Sequence, residues 1–148
     1  MDMSMDKAIG SASVRLSKKL TRIINYYLKP YHITTEQWSV LRTLSESDEI
    51  SQKELSIRSD KDQATLTKIL DLLVKQENAE RVANPLDRRS FLVKVTPKGE
   101  KIVSEVTPLL EQIFTKITIG IDENRLTIFR DVSLTLEGNI ERLLEENK

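Results

Sequence analysis

Asn84-Pro85-Leu86-Asp87-Arg88-Arg89-Ser90-Phe91-Leu92-Val93-Lys94-Val95-Thr96-Pro97-Lys98-Gly99 holds the sharpest change of pattern in the chain. Its first half is turn chemistry, because Asn and Pro favour a reversal, and two adjacent arginines stand at the tip. Its second half has a period of two, with Phe91, Val93 and Val95 alternating with more polar neighbours and Leu92 breaking the pattern. Glu80 to Ala83 carries the same period on the other side of the turn, so the two runs pair as a hairpin. Thr96-Pro97 then opens a helix, with a hydroxyl cap followed by proline at the first helical position, where a missing N–H costs nothing.

Upstream of the hairpin the period is 3.6. Asp62 is placed to cap a helix whose buried stripe is Leu66, Ile69, Leu70 and Leu73, leaving Gln63, Ala64, Thr65, Thr67, Lys68, Asp71 and Lys75 facing outward. Before it, Ser51 and Glu54 have capping-box spacing directly after the polar loop Ser45 to Glu49, and they open a short helix with Leu55 inward. Thr34 and Gln37 have the same spacing and open a helix that turns Trp38, Leu41 and Leu44 inward.

The outermost segments are longer. Ile9, Ala12, Leu16, Leu20, Ile23, Ile24, Tyr27 and Leu28 recur at helical spacing until Pro30 ends the run. After the hairpin, Ile102, Val106, Leu109, Ile113 and Ile117 form a stripe broadened by Leu110 and Phe114, with a kink expected near Pro108. Gly120 stops that helix, Asp122 caps the last one, and Leu126, Phe129, Leu136, Ile140 and Leu143 line its apolar side. The expected class is mainly α with a small β-hairpin.

Composition narrows the function. A chain of 148 residues, 39% hydrophobic and 31% charged, fits one folded domain. The absence of cysteine excludes disulfides, thiolate metal sites and thiol redox sensing by this chain. A single histidine, His32, argues against His-rich metal or triad chemistry. There is no Gly-rich phosphate loop and no nucleophile with a spaced base, so neither an enzyme nor a cofactor or metal is expected. Met1 to Ile9 lacks a secretory pattern and no apolar run is long enough to span a bilayer, which predicts a cytoplasmic protein with no membrane partner. Net charge is zero, but Ser51 to Lys98 holds ten Lys/Arg against seven Asp/Glu, leaving −3 for the rest. A mildly basic middle between acidic flanks suits a DNA-reading module carried by dimerising helices.

Two short helices on a tight link, the second with a polar outer face, suit a helix-turn-helix, and a basic hairpin after them suits a wing. Ile33-Thr34-Thr35-Glu36-Gln37-Trp38-Ser39-Val40-Leu41 resembles the leucine-threonine-x-x-glutamine-tryptophan segment of multiple-antibiotic-resistance-regulator (MarR) family proteins. The stretch from Asn84 to Gly99 resembles that family's wing signature, an aspartate-x-arginine tip running into a strand that ends leucine-threonine-x-x-glycine. The resemblance covers nearly the whole chain. It departs where family members carry glycine between recognition helix and wing: here stands Glu77-Asn78-Ala79, and Asn78 is expected to take the left-handed conformation.

The resemblance implies a single winged helix-turn-helix domain over 1–148, with dimerisation helices at about 8–30 and 97–146 and a DNA-binding lobe at about 34–96. It implies a homodimeric transcriptional regulator, usually a repressor, on a pseudo-palindromic operator in double-stranded DNA. The apolar stripes of the long helices point to a homodimer independently, since so small a chain cannot cover them alone. In this frame Gln63, Ala64, Thr65, Thr67 and Lys68 meet base edges or nearby phosphates in the major groove. Arg89 matches the family's aspartate-x-arginine motif and enters the minor groove, oriented by a charge-assisted hydrogen bond from Asp87, while Arg88 takes phosphate. Ser51 and Gln52 offer backbone N–H groups to a phosphate. A small aromatic or anionic effector, as family members commonly bind, would sit near Tyr27, Trp38 and Arg42.

Each of these residues also has a structural reading. The polar face can be read as a solvated face, Asp87 and Arg89 as a staple for the hairpin, and Tyr26, Tyr27 and Trp38 as core or interface aromatics, the reading that suits these three better than effector contacts. A winged-helix protein-interaction module without DNA binding is the alternative function, since fold does not fix function.

Overall fold

A computed structural model describes residues 4–47 and 49–148. Met1 of the amino-terminal pattern and Asp48 of the polar loop lie outside the described residues. Two compact units are present, one ending at Leu110 and one running from Glu111 to Lys148.

The first unit opens with π-helical turns at Asp6–Ser11 that run into helix α1, Ala12–Leu28. Pro30 cannot donate to a helix ladder, and the chain tightens into a 3-10 turn, Lys29–Tyr31. That turn is closed by His32 in the left-handed conformation, φ 58°. Helix α2, Thr35–Ser45, starts on the expected capping box: the Thr34 hydroxyl accepts from the Gln37 N–H, and the Gln37 side chain accepts from the Thr34 N–H at 2.8 Å. Asn25 of α1 accepts from both the backbone and the hydroxyl of Thr35 at 2.7 Å, tying α1 to the start of α2.

A strand of two residues, β1 (Ile50–Ser51), leads into α3 (Gln52–Arg58) and then α4 (Gln63–Lys75). Strands β2 (Ala79–Ala83) and β3 (Phe91–Val95) form the expected antiparallel hairpin, with Arg81 opposite Val93. Strand β1 pairs with the free edge of β3, so the sheet has three strands in the order β1-β3-β2. Of the alternating trio on β3, Val93 is fully buried, Val95 is half-buried and Phe91 is 57% exposed.

Leu28, Val40, Leu41, Leu44, Leu55, Leu66, Leu70, Leu73, Val93 and Val106 are each fully buried, and Trp38 keeps only 4% of its surface. The core is therefore built from the inward stripes of α2, α3 and α4 against β3, with Leu28 and Val106 supplied by the helices before and after them. Burial of side chains of this size contributes about 1.5–3 kcal/mol each before conformational entropy is subtracted.

The link from α4 to β2 differs from expectation. Glu77, not Asn78, takes the left-handed conformation, at φ 62°. The Glu77 N–H donates to Val74 O and the Asn78 N–H to Leu73 O, both at 2.9 Å, which is a Schellman ending with Glu77 where glycine usually stands. Asn78 is 98% buried, and its carbonyl accepts from Thr96 N at 3.2 Å. The left-handed residue must be the exposed one, and Glu77 is exposed.

Helix α5, Pro97–Ile117, begins with Thr96 accepting from the Gly99 N–H and is continuous through Pro108. In the second unit, Gly120 (φ 84°) follows the end of α5, and Asp122 caps α6, Glu123–Glu146, by accepting from the Arg125 N–H at 2.8 Å. No residue of α6 is buried, and Phe129, Leu134, Ile140, Leu143 and Leu144 are each more than half exposed. Among the described residues no helix is long and apolar enough to cross a membrane.

Candidate nucleic-acid interface

The turn between α3 and α4 is fixed by side chains at both ends. The Ser51 hydroxyl caps α3 by accepting from the Glu54 N–H at 3.0 Å. The Glu54 carboxylate does not complete a capping box; it pairs one turn on with Arg58 at 3.0 Å, where opposite charge outweighs a neutral N–H. Helix α3 ends with Asp60 left-handed at φ 53°, the Asp60 N–H on Ile57 O and the Lys61 N–H on Ser56 O, a second Schellman ending without glycine. The Lys61 ammonium, with its side chain only 13% exposed, reaches Glu36 of α2 at 2.7 Å and holds the turn against the helix behind it.

Asp62 caps α4 as expected. One carboxylate oxygen accepts from the Thr65 N–H at 2.8 Å and the other from the Thr65 hydroxyl at 2.9 Å. These two bonds, the backbone one first, hold the Asp62 carboxyl below the usual carboxylate range. Gln63, Ala64, Thr65 and Lys68 are exposed on the first turns of α4, and Thr67 is half-buried beside them. Gln52 and Thr67 are joined directly, the Gln52 amide donating to the Thr67 hydroxyl at 2.8 Å. Further along α4, Asp71 binds Arg81 of β2 at 2.6 Å, linking the helix to the wing.

At the wing tip, Asp87 does not meet the Arg89 guanidinium. Its carboxylate accepts from the Arg89 backbone N–H at 2.9 Å, and Asn84 accepts from the Leu86 N–H at 3.0 Å. Both are side chains mimicking a backbone turn, which a short Asx side chain does more readily than it reaches the far end of an arginine. Asp87 therefore shapes the backbone from which Arg89 projects. Arg88 and Arg89 are both exposed, and among the described residues neither takes part in an ion pair.

The three effector residues are not brought together. Trp38 is buried in the core and Arg42 is exposed on α2, whereas Tyr27 lines a cavity of about 500 Å³ with Tyr26, Lys29, Pro30, Tyr31 and Leu109. Tyr26 and Tyr27 meet edge to face with ring centroids 5.2 Å apart. Lys29 and Tyr31 escaped the sequence reading, although an aromatic and basic cluster around Pro30 was visible in it.

A capped helix pair with a polar second face, followed by a hairpin that projects two unpaired arginines, defines a winged helix-turn-helix protein. The MarR family model matches residues 33–91. The multiple antibiotic resistance protein MarR of Escherichia coli K12 is 36% identical over 104 residues, 70% of this chain and 72% of that protein. Its counterpart in Salmonella typhimurium LT2 is 35% identical over 97 residues, covering 66% and 67%. A solved structure of a mutant MarR from E. coli complexed with operator DNA superposes with a TM-score of 0.82 at 27% identity, over 90% of this chain and 99% of that one. This chain belongs to the MarR family of transcriptional regulators.

Proposed function

We propose that the protein is a homodimeric, sequence-specific repressor that binds a pseudo-palindromic operator and is released by a small aromatic or anionic ligand. The observation that carries the reading is the exposure, on one helix-turn-helix module, of both the polar first turns of α4 and the unpaired Arg88 and Arg89 of the wing. Gln63, Ala64, Thr65, Thr67 and Lys68 enter the major groove, Arg89 the minor groove, and Arg88 a phosphate, while Ser51 and Gln52 take another phosphate at the start of α3. The complex of the E. coli relative with operator DNA supports this assignment. A second copy covers the exposed apolar side chains of α6, and two-fold symmetry sets half-sites about 10 bp apart.

The effector site is the cavity beside Tyr27, where Tyr26 and Tyr31 offer aromatic walls and Lys29 a cation for an anionic group. A ligand that favours the wrong spacing of the two DNA-binding lobes weakens operator binding by the factor by which operator weakens the ligand. The protein works in the cytoplasm and needs no cofactor. Selection of duplexes from a random pool tests the reading: it should enrich a two-fold-symmetric motif whose affinity falls with salt at a log-log slope of about −0.9 per phosphate neutralised. An adaptor without DNA binding would enrich nothing at any salt.

A further inference from the structure

Thr67 stands on the base-reading face of α4, yet its hydroxyl proton is spent within the protein. A hydroxyl carries one proton and two lone pairs. The proton goes to the carbonyl of Gln63 at 2.8 Å, one turn back on the same helix, and one lone pair accepts from the Gln52 amide at 2.8 Å. A threonine in a helix divides between two rotamers, which carry the methyl to different places. A donor fixed on α3 selects one of them and so fixes the methyl as well. Thr65, two residues earlier, has spent its proton on Asp62 at 2.9 Å. Neither threonine therefore has a hydroxyl proton to give a base or a phosphate, and Ala64 before them has none.

We propose that Gln52 is a positioning residue for sequence reading, which locks Thr67 so that its methyl, and not its hydroxyl, recognises the C5-methyl of a thymine in each half-site. The inference rests on the DNA-binding reading above. Thymine is the one base that presents a methyl in the major groove, so an apolar contact there discriminates without a hydrogen bond.

The test uses duplexes selected by the wild-type protein, with each thymine replaced in turn by deoxyuridine, which removes only that methyl. Wild type should lose about fourfold in affinity at one thymine per half-site, the value of one buried methyl, and little elsewhere. Thr67→Val, with a methyl in both positions, should keep that penalty, and Thr67→Ser should abolish it. Gln52→Leu should shrink the penalty, and adding Thr67→Val should restore it, because valine in a helix keeps one rotamer, with a methyl at each of the two places that the threonine methyl can take. A Gln52 that served only to hold α3 against α4 would lower affinity for thymine and uracil duplexes alike, and an unchanged ratio in Gln52→Leu overturns the proposal. So does a uracil scan without a sensitive position, or a penalty that survives in Thr67→Ser. Thermal melting reports whether each variant folds, and should Gln52→Leu fail to do so, the two Thr67 variants still decide. If the wild type selects no duplex, the DNA-binding reading itself has failed and the inference falls with it.

Discussion

Arg89 and Asp62 show how single side chains divide the work of the interface. Arg89 is exposed and its guanidinium is unpaired among the described residues, so removing it takes nothing from the fold. Arg89→Ala should cost at least about tenfold in affinity for a selected operator, while circular dichroism and melting stay unchanged. Asp62 is the converse case, a carboxylate whose partners are the backbone and hydroxyl of Thr65 on its own helix. Its pKa is lower in the folded chain than in the unfolded one. Its contribution to stability is therefore complete above the unfolded value of about 3.9 and is lost as pH falls through the folded value. Asp62→Asn keeps an acceptor but cannot titrate. The advantage of wild type over this variant, measured by urea unfolding, should be constant near neutral pH and shrink in acid below about pH 4. A constant difference down to pH 2 would contradict the account.

Among the elements, the junction of α4, β2 and α5 has the least tolerance. A Cβ on Gly99 would lie 2.1 Å from the Asn78 carbonyl oxygen and 2.8 Å from a methyl of Val95. Gly99→Ala should destabilise the protein by about 3 kcal/mol, read as a lower urea midpoint, because backbone cannot yield as a side chain tip can. One residue from that contact lies an opportunity: Glu77→Gly removes the left-handed strain at an exposed position and should raise stability by about 0.5–1 kcal/mol. Asn78→Gly should lower it, since Asn78 is buried and not left-handed. This junction also marks where the sequence stops being legible. Caps at Thr34, Ser51, Asp62 and Asp122 act between residues three apart and were readable, as were the buried leucines of α4. The choice of Glu77 over Asn78 depends on which residue the sheet buries, a tertiary fact. Strand β1 has two residues, too few for any period to register. The Gln52–Thr67 bond joins residues 15 apart in sequence, and no local pattern predicts it.

For the whole molecule, charge and apolar surface have different messages. The expected acidic flanks are not symmetric: residues 99–148 carry ten Asp/Glu against six Lys/Arg, whereas residues 1–50 carry seven Lys/Arg against six Asp/Glu. From Lys7 to Thr35 there are six cations and no acid. Of the apolar residues of α6, Leu126 and Leu136 are half-buried, whereas Phe129, Leu134, Ile140, Leu143 and Leu144 are more than half exposed in a single chain, and a second copy is their proposed cover. Sedimentation equilibrium should give twice the 17.0 kDa chain mass. Phe129→Glu, at a side chain 59% exposed, should shift the protein to monomer and abolish operator binding. A monomeric wild type would remove the basis for two-fold recognition.

Hydroxyl-radical footprinting on a selected duplex, with the number of bound chains counted by sedimentation, tests that recognition most directly. Two chains protecting two symmetry-related patches about 10 bp apart is the expected result, with the protection at the flanking minor grooves lost in Arg89→Ala. A single unpaired patch, or protection that does not depend on Arg89, would contradict it.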